Sequence, residues 1–136
     1  IDSLRKYKKL VMVFPKYLKH PQSSKQYFIQ FCIDHGFFYE IYESTEECNP
    51  QQNVAYLIIK QQNIVEFIKK SRKLNLKCGH GILAYNDTPS YEIIDNGITA
   101  LTIDWREMGE KIAEFVLNDR KYQEYLPTLL RLRGSL

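Results

Sequence analysis

Three histidines, three cysteines and scattered carboxylates are the side chains of this 136-residue chain best suited to chemistry. Cys78-Gly79-His80 together with Cys48 comes nearest to a metal-ligand set. It lacks the paired, close spacing of zinc modules and has no second pair, so no metal site is expected. Three widely spaced cysteines also make a poor disulfide framework and point to a reducing, cytoplasmic setting. His35 precedes Gly36 at a helix end, where an imidazolium favours the dipole. His80 falls at the amino side of a strand and reads as a surface turn. His20 lies in a strand-end loop, where ligand contact and a plain loop role are both open. No spacing assembles a Ser-His-Asp or Cys-His set. No glycine-rich phosphate loop, dinucleotide fingerprint or Gly-x-Ser-x-Gly elbow occurs. The chain is expected not to be an enzyme, and no cofactor is expected.

The elements that would position these residues alternate in type. Residues 9–14 (Lys-Leu-Val-Met-Val-Phe) form a continuous apolar run ended by Pro15, as in a strand buried on both faces. Residues 22–34 read as a helix with Tyr27, Phe28, Phe31 and Cys32 on one side, ended by Gly36. Further strands follow at 37–42, 54–59, 82–85 and 98–103, with a polar loop at 44–53 that offers little to bury. A helical stripe of Ile64, Val65, Phe67, Ile68 and Leu74 spans about 63–75, and Pro89 opens a short helix to Ile94. This rhythm implies a parallel sheet with right-handed crossovers and ligands beyond the carboxyl ends of its strands. The informative loops are then 15–22, 60–63 and 86–91. Asp104 caps a helix over 105–118 whose face carries Met108, Ile112, Phe115 and Val116. The tail at 125–133 needs a surface to lie on.

Composition narrows the field further. With 44% hydrophobic and 26% charged residues the chain is globular, and its length suits one domain. A formal charge of +3 is too mild to make nucleic acid the default partner. No apolar run approaches the roughly 20 residues of a membrane span, so no membrane partner is expected. The basic stretch 69–77 sits on the outer side of its helix, where Glu66 can pair with Lys70 at i, i+4, and reads as a solvated face. A receiver domain would need paired acids after the first strand, where this chain has Phe14-Pro15-Lys16. It would also need a phosphoacceptor Asp in the loop that reads Ile59-Lys60-Gln61-Gln62. A flavodoxin would need a hydroxyl-rich loop in place of Pro15-Lys16-Tyr17-Leu18.

Several words of the sequence fall in a familiar order. They are Gly81-Ile82-Leu83-Ala84-Tyr85-Asn86-Asp87-Thr88-Pro89, then Gly97-Ile98-Thr99-Ala100-Leu101-Thr102-Ile103-Asp104. Glu107-Met108-Gly109 with Ala113 follows, and the chain closes on Leu126-Pro127-Thr128 and Arg133-Gly134-Ser135. In this order the chain resembles the effector-binding domains of LacI/GalR-type bacterial transcription regulators, which have the periplasmic-binding-protein type I fold. The 85–89 word, with Phe31-Cys32 before it, looks most like GntR-type regulators that join a winged helix-turn-helix to a LacI-like sugar sensor. The resemblance implies an α/β, three-layer αβα fold with a mainly parallel five-stranded sheet, the second of two lobes, plus a C-terminal helix and strand. Residues 1–103 would form that lobe. Residues 104–136 would be the crossover and tail, packing on a first lobe.

The resemblance also implies a site. Asn86 matches the position that holds sugar hydroxyls, and its amide offers both donor and acceptor. Asp87 follows as the acidic neighbour, and Gln61 falls near a polar ligand-binding position after the third strand. Asp104 lies at the crossover. Ser24, with Lys25 beside it, stands where the family has a ligand-binding Arg, a departure that speaks against a sugar acid or phosphate. Tyr17, His20 or Trp105 would stack on a sugar's apolar face. The implied function is effector sensing: a monosaccharide, fucose-like by the GntR resemblance, closes the lobes and shifts DNA affinity. DNA would be bound only through a separate N-terminal domain. An apolar helix face left uncovered invites self-association, so a homodimer is expected. A periplasmic-type sugar-binding protein, or a small enzyme using His20 or Asp87, stands as the alternative.

Overall fold

The computed structural model describes residues 1–17, 19–76, 79–118 and 124–136. The apolar runs become β1 (Lys9–Val13), β2 (Phe38–Tyr42), β3 (Val54–Ile58), β4 (Gly81–Tyr85) and β5 (Thr99–Thr102). Helices α1 (Ser23–His35) and α2 (Gln61–Lys73) follow β1 and β3, and a short 3-10 turn, Pro89–Glu92, stands where a helix to Ile94 was expected. Gly36 ends α1 at φ 72°, a left-handed conformation that a Cβ would strain. Strand order is β2-β1-β3-β4-β5-β6, all parallel except the last pair.

That last pair adds the expected C-terminal strand to the mainly parallel sheet as its sixth member. Leu129–Arg131 is β6, antiparallel to β5, with Leu101 opposite Leu130. The strand expected to leave for another lobe closes the edge of this sheet instead. It is held beyond the ladder, since Ser135 Oγ donates to Ile82 O at 2.7 Å and accepts from Thr99 N–H at 2.8 Å. Gly134 lets the tail come so close, because a Cβ there would fall 2.6 Å from Asn96 O.

Alternation along each strand sorts side chains onto two faces. On one, Val11, Val13, Tyr56, Ile58, Ile82, Ala84 and Ala100 pack under Ile64, Phe67 and Ile68 of α2, with Tyr91 and Ile98. On the other, Leu10, Met12 and Phe14 pack under Phe28 and Cys32 of α1. Helix α3 (Trp105–Asn118) matches its expected span but has no buried residue.

Two local expectations fail for reasons of packing. The 44–53 loop buries Thr45, Cys48 and Pro50. Lys70 does not pair with Glu66; its ammonium reaches under the loop to the carbonyls of Thr45, Glu46 and Cys48 at 2.9–3.0 Å. Glu66 instead accepts from Thr45 Oγ1 at 3.0 Å. His80, read as a surface turn, is half-buried against Phe67 and bonded to Ser71 Oγ at 3.3 Å.

Candidate functional site

The strand order turns back between β1 and β3, and crevices in such sheets open at the carboxyl ends beside that point. The loop after β1 carries His20 to this edge. Its ring lies 4.8 Å from that of Tyr85, at the end of β4, and 6.1 Å from that of Phe14, just past β1. Lys25 sits 4.7 Å over the Phe14 ring, a cation on an aromatic face. His20, Ser24 and Tyr85 border one end of an apolar groove of about 460 Å³ along the α1 face. Leu57, Leu83, Leu101 and Leu130 form its floor.

Asn86 follows Tyr85 directly and is partly exposed at the same edge; the peptide bond between them is cis. Asp87 is differently employed. Arg133 grips its carboxylate with two hydrogen bonds, at 2.8 and 2.9 Å. That pairing holds the carboxyl below the usual carboxylate range, and it raises the arginine in turn. The acidic neighbour is thus committed within the protein, 46 positions along the chain. Asp104 is also committed in part, its Oδ1 accepting from the N–H groups of Arg106 and Glu107 at 3.0 Å as the N-cap of α3. Gln61 is the exposed first residue of α2, two positions earlier than the helix was expected to begin.

Of the three candidate stacking residues, Tyr17 is 91% exposed and Trp105 54%. Cys78 lies outside the described residues, so the Cys48–Cys78–His80 grouping has no description here. Among the described residues no cluster of three or more metal-capable side chains occurs. Cys48, within the 44–53 loop, is fully buried, and burial pushes its thiol up to about 11.

Sequence reasoning left three contributors to this edge without a role. Phe14 and Tyr85 read as strand residues, although Phe14 lies just past β1, Tyr85 ends β4, and both flank His20. Arg133 belonged to the closing word, but nothing local links it to Asp87. The arrangement provides a planar amide, an imidazole and aromatic edges, means of holding hydroxyls and an apolar ring face.

No protein-family model matches the sequence, and no curated protein matches it. Solved structures do match its fold. A LacI family transcriptional regulator from Bifidobacterium animalis superposes with TM-score 0.77 at 17% identity, over 98% of this chain and 56% of that one. A LacI family regulator from Enterococcus faecalis with bound ribose gives 0.68 at 15%, with the same coverage of 98% and 56%. A periplasmic binding protein/LacI transcriptional regulator from Alkaliphilus metalliredigens, complexed with D-xylulofuranose, gives 0.71 at 9%, covering 98% and 59%. The chain therefore has the fold of these LacI-type, periplasmic-binding-protein-like domains. It spans a little over half the length of the structures it matches.

Proposed function

We propose that this chain is the effector-sensing lobe of a LacI-like bacterial transcription regulator, and that its effector is a monosaccharide. The observation that carries the reading is the packing of His20 on Tyr85 at the carboxyl edge of this fold, with Asn86 the next residue along the chain. Two of the similar structures hold a pentose, ribose in one and D-xylulofuranose in the other. Asn86 would bind a hydroxyl pair, with His20, Ser24 and Gln61 near it; Tyr17, Trp105 and Asp104 would join as a second lobe closes. Asp87 would act from behind the site through Arg133. Helix α3, with its exposed Ile112 and Val116, would be the crossover that packs on that lobe. A sugar bound between lobes acts by favouring the closed population, which sets DNA affinity elsewhere in the molecule.

The finer reading is a GntR-type regulator whose DNA contact lies in a separate N-terminal domain. It would act as a cytoplasmic homodimer with a fucose-like effector, and no catalytic step is assigned to it. The support is the 85–89 word. A periplasmic-type binding protein is the second reading, favoured by the D-xylulofuranose complex.

A thermal-shift series with a panel of monosaccharides tests the proposal. Ligand at about 100 times its Kd should stabilise the protein by about 2.7 kcal/mol. Asn86→Ala should weaken the response about tenfold or more, the loss expected for buried hydroxyl bonds. A variant that responds like the wild type would remove Asn86 from the site. DNA binding that changes with the same sugar would exclude the periplasmic reading.

A further inference from the structure

The segment that presents Asn86 is tied down from far along the chain. Asp87 and Arg133 have side chains only 8% and 14% exposed. Besides its two bonds to Asp87, Arg133 Nη1 donates to Ile98 O at 2.7 Å, and Nη2 lies 3.5 Å from the Glu92 carboxylate. One guanidinium thus spans both ends of the 87–92 segment and the entry to β5. Arg131 adds a second cation 3.5 Å from Asp87.

Arg133 is itself firmly seated. Its N–H donates to Thr99 Oγ1 at 2.9 Å, and that hydroxyl donates back to Arg133 O at 3.1 Å. Exposed ion pairs hold little, but breaking a screened, two-pronged pair strands a carboxylate with few substitutes. Lysine offers a single-point ammonium and cannot reproduce the planar fork.

We infer that Arg133 is a positioning residue for ligand recognition. Through Asp87 and the Ile98 carbonyl it fixes the segment that aims the Asn86 amide at the carboxyl edge. The inference rests on the sugar-sensing reading for what Asn86 touches; the clamp is a property of Arg133 and its partners. A tail residue thereby governs the geometry of a loop more than forty positions earlier.

Hydrogen exchange, read by NMR on the wild type, Arg133→Lys and Ser135→Ala, tests the clamp. Ser135→Ala removes a different anchor of the same tail and leaves the 87–92 segment untouched. In Arg133→Lys, backbone amides of residues 87–92 should exchange on the order of tenfold faster, with β1 and β3 unchanged. Ser135→Ala should leave 87–92 at wild-type rates. Equal loosening in both variants, or none in Arg133→Lys, overturns the inference. Titration of the same proteins with D-ribose, D-xylose, D-galactose and L-fucose supplies the second arm. The expected result is about tenfold weaker binding by Arg133→Lys than by the wild type. A loosened segment with unchanged sugar affinity overturns the positioning role. A loosened segment in a protein whose wild type binds none of these sugars upholds the clamp and overturns the sensing reading.

Discussion

The two faces of the sheet are made from the same alternating strands, yet they end in different states. Toward α2, side chains from four strands meet Ile64, Phe67 and Ile68, with Tyr91 and Ile98 completing a closed layer. Toward α1, the helix covers β1 and its neighbourhood, while Leu57, Leu83, Leu101 and Leu130 floor a groove of about 460 Å³. Strand alternation creates two apolar faces, but only packed helices make a face a core. Stability is therefore concentrated on the α2 side. The groove and the His20–Tyr85 cluster share the other side.

The largest test of this contrast is a matched pair of truncations. Phe67→Ala removes a fully buried ring from the closed layer and should cost about 3–5 kcal/mol in denaturant unfolding. Leu101→Ala, on the groove floor, should cost about 1 kcal/mol or less, because its side chain already borders a void. Equal losses would show that the groove is closed in solution.

A smaller effect comes from acid. His80, half-buried beside Phe67, has its pKa lowered from 6.5 by desolvation, so the unfolded chain binds that proton first. Its contribution is whole above pH 6.5 and fades as pH falls through the folded value below that. Asp87, lowered from 3.8 chiefly by its bonds to Arg133, adds stability that is present above 3.8 and lost only in stronger acid. Stability against pH should therefore fall in two stages. His80→Gln should flatten the first and leave the second; a single acid transition unaffected by either residue would contradict the assignment.

Much of the fold was legible in local pattern. The β1 run Leu10-Val11-Met12-Val13 is apolar on both sides because both sides are covered, and Gly36 marks the end of α1. The 44–53 loop is buried against expectation because Cys48 joins the α2-side core and Lys70 bonds the loop carbonyls, long-range contacts that polar composition conceals. At the candidate site, the strand-end loop points to His20 and the family resemblance to Asn86. Neither points to the employment of Asp87, since its partner is in the tail.

By itself the sequence determined the strand and helix alternation, the span of α3 and the loops that gather at one edge. These follow from side-chain periodicity and from glycine and proline, which act within a few residues. Only the tertiary structure decided that β6 joins this sheet, that one face stays open, and that Arg133 occupies Asp87. Each depends on which surfaces meet, and a two-pronged ion pair or an antiparallel edge strand leaves no periodic trace in either partner.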